Sequence, residues 1–266
     1  MDPRLAVIAA VLALSGAAHA DRLADSRTIY LVHDGLAVRP GADDVWAGTS
    51  TLVPHPVEIP PWITTPEVWS ETVACVSEIF SPFAVTVTEE DPGAAPHLEA
   101  VFGGTPQMLG LARSIDGVAP FSADCSVMES AIVFAFTDIM PGDARYACQV
   151  MAHELGHAYG LDHELLASDP MTITHGAGAR AFANQDVACG DDVARPCGLP
   201  GGTSCRATQN SYALLSSRLG LAGTAPPPAL DGSANTLTGG CATTGGGGPA
   251  LGLAGLALLR RRRARP

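Results

Sequence analysis

The sequence predicts an α+β domain built on a mixed β-sheet. Three observations point there. Short β-rich runs and helical runs alternate in the order strand, helix, several strands, long helix, irregular segment, helix. One run, Ser130 to Phe136, is continuously apolar, as expected of a buried central strand. The chain has 266 residues, 47% of them hydrophobic, which is enough to bury a sizeable core.

The elements follow in order. RTIYLVHDG (Arg27 to Gly35) is apolar and β-rich and reads as a first strand. In TPEVWSETVACVSEIF, Thr65 suits a helix N-cap and Pro66 the first helical position, where its missing N–H costs nothing. Val68, Trp69, Thr72, Val73, Val76, Ile79 and Phe80 recur at helical spacing, and Pro82 ends the helix. FAVTVTEED alternates and reads as a strand, HLEAVFGG as another, and the stretch 109–121 has room for an edge strand. After the apolar SAIVFAF, Pro141-Gly142 makes a turn and Asp143 is an N-cap candidate. Helix formers then continue through ARYACQVMAHELGHAY to Gly160. Beyond it regular structure is sparse until QNSYALLSSRLGL (Gln209 to Leu221), a C-terminal helix. There is no internal repeat.

Both ends read as processing signals. Residues 1–20 carry Arg4, an apolar run from Leu5 to Leu14 and Ala18-His19-Ala20, the layout of a secretory signal peptide cleaved after Ala20. The Pro/Gly/Thr/Ser-rich stretch 222–240 reads as a flexible linker. The last 26 residues, CATTGGGGPALGLAGLALLRRRRARP, place a cysteine, a glycine-rich spacer, an apolar run too short to span a bilayer and an arginine cluster in that order. This tail resembles the myxobacterial C-terminal sorting signal. The resemblance implies that residues 241–266 are removed by a sorting machinery and that the protein is held at the cell surface, with Cys241 as the anchoring point. A weak anchor kept uncleaved is the alternative. The domain between the ends is 21–221.

The formal charge is −12, and all 15 basic residues are arginine, five of them in the tail. The body is therefore acidic throughout, which excludes nucleic acid as a partner, because phosphate binding needs a basic face. Such a charge suits an exported soluble protein. Setting Cys241 aside leaves Cys75, Cys125, Cys148, Cys189, Cys197 and Cys205, an even number that predicts three disulfides. Three cysteines precede the histidine-rich stretch at 153–163 and three follow it, so at least one bridge joins the two sides.

That stretch, HELGHAYGLDH, carries the chemistry. His153 and His157 are four apart on a helix, so both imidazoles project from one face on successive turns. The spacing lets two nitrogens reach one Zn²⁺ at about 2.0–2.1 Å. Glu154 points beside the metal, placed as a general base. Gly160 suits a left-handed helix end, after which the chain swings back and His163 supplies a third ligand. Three protein ligands leave a fourth position open for water, the mark of a catalytic zinc. Glu154 would take a proton from that water during attack on a peptide carbonyl and deliver it to the leaving amine.

The motif, with Met171 eight residues past His163, resembles that of the metzincin metallopeptidases, and among them most the matrixins. The resemblance implies a metzincin-like zincin fold: a mixed, mostly parallel sheet, an active-site helix and a small irregular C-terminal subdomain. It implies a zinc endopeptidase acting on extracellular proteins or peptides, with substrate laid as a strand along the sheet edge. His153, His157 and His163 are then the zinc ligands, Glu154 the catalytic base, Gly160 the hinge and Met171 the floor of the methionine turn. Many metzincins also bind Ca²⁺. Several Asp-containing loops here leave that open, though none has EF-hand spacing. We expect a monomer.

Where matrixins usually carry Ser after the third histidine and Tyr-Pro after the methionine, this chain has Glu164 and Thr172-Ile173. The walls of the S1′ pocket therefore differ from the family pattern. RPCGLPG (Arg195 to Gly201) resembles the matrixin cysteine switch, but it follows the site and its residue order differs, so Cys197 reads as a disulfide cysteine. His175 sits on the surface or lines the cleft. The rival reading of the whole chain is a surface binding or structural module that keeps the metal without cleaving. Glu154 counts against it.

Overall fold

In the computed structural model, residues 23–140, 142–173, 178–199, 202 and 204–223 are described. The signal segment 1–20, the linker beyond residue 223, the tail with Cys241, and His175 lie outside the described residues. Strands β1 (Thr28–Val32), β2 (Leu36–Pro40), β3 (Thr49–Ser50) and β4 (Val57–Ile59) precede helix α1 (Pro66–Phe80). Then come β5 (Thr86–Thr88), β6 (Leu98–Phe102), β7 (Gly117–Val118) and β8 (Ile132–Ala135), followed by α2 (Ala144–Ala158). Two short strands, β9 (Cys197–Gly198) and β10 (Ser204–Arg206), form an antiparallel pair before α3 (Ser211–Leu219).

The main sheet has the order β5-β1-β6-β8-β7. Its pairings are parallel except at the β7 edge, which runs antiparallel to β8. Within the run 130–136, Ile132–Ala135 form a strand buried at every position, but it lies one place in from the edge; the centre is β6. Both strands are covered on two faces, so both look continuously buried and apolarity does not rank them.

Alternation sorts the side chains between two cores. Leu98, Ala100, Phe102, Val133 and Ala135 face the helices, against Trp69, Val76 and Phe80 of α1 and Met151 and Leu155 of α2. Val101, Ile132 and Phe134 face the opposite way, against Val38, Val53 and Ile59. That second cover is a three-stranded sheet, β3-β2-β4, which the sequence reading does not anticipate. Its strands are two to five residues long and largely exposed on one side, too short to show a period.

The expected helix caps are present. The Thr65 hydroxyl accepts from the Val68 N–H, and the Asp143 carboxylate accepts from the Arg145 and Tyr146 N–H groups. The six cysteines among the described residues are all paired. Cys75–Cys148 ties α1 to α2, Cys189–Cys197 closes a short loop, and Cys125–Cys205 joins the segment before the histidine motif to the segment after it, as parity requires. Cys197 is thus a disulfide sulfur and no free thiol.

Candidate metal centre

Helix α2 places the first two histidines. Its buried face, Ala147, Met151, Leu155 and Ala158, is fully sequestered against β6 and β8. The adjoining face turns Tyr146, Gln149, Val150, His153, Glu154 and His157 into an open cleft of about 630 Å³. The ring centroids of His153 and His157 are 4.6 Å apart, and their Nε2 atoms 3.0 Å.

The helix ends at Tyr159, and Gly160 takes φ +81°, a left-handed conformation that side-chain-bearing residues resist. A Cβ there would also overlap the Cys125 carbonyl oxygen. The orphan carbonyls at this end are satisfied: Arg218 donates to Tyr159 O, and Arg206 to Gly160 O at 2.6 Å. The reversed chain returns His163 to the other two rings, at centroid distances of 4.9 and 4.8 Å.

The hydrogen bonds behind the rings decide what the three histidines can do. His153 Nδ1 lies 2.8 Å from Pro170 O, and His157 Nδ1 2.8 Å from Leu161 O. Carbonyls only accept, so each Nδ1 carries the proton and each Nε2 a lone pair. His163 Nδ1 lies 2.5 Å from the Asp191 carboxylate, which sets its tautomer the same way. Burial, then the neighbouring imidazoles, hold His153 well below the usual histidine range and push His157 down to about 3, so both rings are neutral. Facing lone pairs at 3.0 Å repel unless a cation lies between them. Ring nitrogens of all three residues fall within 4.8 Å of one another, and the donor set suits a metal ion. The other converging group among the described residues is Asp162, Cys189 and Cys197, whose sulfurs are in a disulfide.

Glu154 lies beside this group. A Cβ built on Gly117 would come within 2.6 Å of its Oε1, so the carboxylate rests directly on the edge strand β7. Burial first, then the charge of Asp116, hold its carboxyl well above the ordinary range. Met171 is fully buried, with its sulfur filling the space a side chain at Gly156 would need, under the histidine-bearing turn.

Several supporting residues escape the sequence reading. Asp162 receives both Arg195 Nη atoms, at 2.5 and 2.9 Å, and the Gly198 N–H at 2.7 Å. Burial alone would raise the Asp162 carboxyl, but these donors outweigh it and hold it low. Gln209 brackets His163 from behind. It accepts from Asp162 N–H, donates to Asp162 O, each at 2.8 Å, and donates to Glu164 at 3.1 Å. Asp191 and Arg195 both belong to the loop CGDDVARPC, closed by Cys189–Cys197. A short Cys-to-Cys interval is visible in the sequence, but its pairing and its position behind His163 are not. Of the two departures from the matrixin pattern, Thr172-Ile173 does line the cleft. Glu164 is buried and turned to Gln209, away from the described lining. No family model matches the chain, and no curated protein matches it.

Proposed function

We propose that the chain is a zinc-dependent endopeptidase, a matrixin-like metzincin that hydrolyses peptide bonds of proteins outside the cytoplasm. The observation that carries the reading is the convergence of three histidine Nε2 lone pairs beside a buried carboxylate at the floor of an open cleft. The mostly parallel sheet with one antiparallel edge, the helix bearing His153 and His157, and the irregular part after Gly160 are the layout that the resemblance implies.

His153, His157 and His163 would hold the zinc through Nε2. When bound, zinc supplies a Lewis acid for the peptide carbonyl and lowers the pKa of water. Pro170 O, Leu161 O and the Asp191 carboxylate orient the three rings through Nδ1. The Glu154 carboxylate accepts a proton from the attacking water and hands it to the leaving amine nitrogen. The edge strand β7 offers its backbone to an extended substrate. Export is supported by three disulfides and the signal-like N-terminus, and surface retention by the C-terminal tail.

The test is the purified full chain, assayed for metal and incubated with a diverse peptide library. We expect near one zinc per chain, cleavage, and loss of cleavage on chelation with return on added zinc. Zinc-loaded protein that cleaves no peptide would favour the binding-module reading.

A further inference from the structure

We infer that the cleft selects substrates with a large apolar side chain, aromatic or long aliphatic, on the N-terminal side of the scissile bond, and that Phe121 and Leu199 form its seat. This rests on the peptidase reading above and names a substrate class for it.

Three contacts fix how the edge of the main sheet runs along α2. Asp116 accepts from the Tyr146 hydroxyl at 2.6 Å. Gly117 packs on Glu154. The ring of Phe121 stands edge-on to that of His157, with centroids 5.7 Å apart. Residue numbers rise together on the two elements, and the lengths agree: the helix rises about 16 Å from Tyr146 to His157, and an extended chain covers about the same from Asp116 to Phe121. Edge and helix therefore run side by side in the same sense. A peptide added antiparallel to β7, the better-bonded orientation, runs the opposite way. With the scissile carbonyl beside Glu154, its residues N-terminal to the cut lie at the Phe121 end.

That end of the cleft has two apolar walls. Phe121 lines it and is half-buried. Leu199 comes from the far side of the metal centre. The Asp162 carboxylate accepts from the His163 N–H and from the Gly198 N–H, each at 2.7 Å, so the chain at Gly198 is tied to the third histidine. Leu199 follows directly, its carbonyl held by the Gly202 N–H at 2.9 Å, and its side chain lines the cleft while 43% exposed. The rings of His157 and His163 are 4.8 Å apart, so Phe121 on the one and Leu199 on the side of the other flank one edge of the histidine group. A large apolar side chain left open in a cleft is covered with gain by an apolar ligand group. A polar side chain seated there gives up water and meets no hydrogen-bonding group on Phe121 or Leu199 in return. An aromatic substrate ring gains further from the ring of Phe121.

The experiment maps the bonds cut by the zinc-loaded full chain in a peptide library. Phe, Tyr, Leu and Met should exceed Ala, Ser and Asp by about tenfold in kcat/KM at one position N-terminal to the cut. Leu199→Ala should narrow that ratio to about threefold, with zinc still near one per chain. Leu199 belongs to neither core, so its truncation leaves the fold in place. Phe121→Leu should keep the aliphatic preference and lose the aromatic one. A wild-type profile with no apolar enrichment, or with enrichment only C-terminal to the cut, overturns the inference. So does a Leu199→Ala protein that keeps the full ratio, or that loses apolar and small-residue peptides equally. Cleavage without apolar selection defeats this inference alone; zinc-loaded protein with no cleavage defeats the peptidase reading and this one with it.

Discussion

Two of the three histidines stand on a helix and the third on a segment with almost no regular structure, yet the three rings are spaced alike, at 4.6, 4.8 and 4.9 Å. The two walls of the centre reach the same precision by different means. His153 and His157 inherit their positions from α2, which is fixed by apolar burial against the main sheet. His163 is held by polar contacts: Asp191 on its ring, and Asp162, Arg195 and Gln209 around its backbone. A packed wall resists change through the stability of the whole domain, whereas a polar wall resists it locally. Global stability and metal affinity should therefore separate when each wall is perturbed.

The disulfides give the largest contrast. Cys75 and Cys148 are 73 residues apart and tie the packed wall together; Cys189 and Cys197 are 8 apart and close the loop behind His163. Loop-closure entropy assigns them about 4 and about 2.5 kcal/mol of stability. Replacing the Cys75–Cys148 pair by serines should lower the denaturation midpoint more, with zinc affinity of the folded protein unchanged. Replacing Cys189–Cys197 should lower the midpoint less and weaken zinc. Denaturant titration alongside competition with a chelating dye reads both, and equal loss of affinity in the two variants would break the distinction.

Asp191→Asn should weaken zinc by about 10- to 100-fold, since it removes the charge that orients His163, while the midpoint moves little. An unchanged affinity would show that Asp191 does not position the ring.

The smallest effect belongs to the sheet. Glu99 lies on β6, facing the same way as its partner Tyr30, away from the helices. Burial, then the charges of Asp91 and Asp34, push its carboxyl from 4.5 up to about 7. The folded state therefore holds a proton that the unfolded chain releases, so this stability is full below about pH 4.5 and lost as pH rises through 7. The change is on the order of 2 kcal/mol after allowance for residual screening. Glu99→Gln should flatten the decline in stability between those pH values without altering zinc affinity, which a pH series of denaturation curves would show.

The same contrast explains what was legible in the sequence. Helices α1, α2 and α3, the strands β1, β6 and β8, and the ligand pair on α2 declare themselves through periodicity and caps. Gly160 and His163 were readable because a glycine helix end and a returning histidine form a recognisable interval. Asp191 and Gln209 were not, because they come from 161–209, where no period links a residue's place in the chain to its place in space. Cysteine parity required a bridge across the motif but did not choose Cys125–Cys205. The second sheet was missed because its strands gain their burial only from contact with the face of β6 and β8 carrying Val101 and Phe134.

The most direct test of the central claim is Glu154→Gln, a change that keeps shape and removes the carboxylate base. Zinc content should stay near one per chain, because Glu154 lies beside the histidine group and not in it. Peptide cleavage should fall by about 10²- to 10⁴-fold. A Glu154→Gln protein that holds its zinc and cleaves at the wild-type rate would contradict the account.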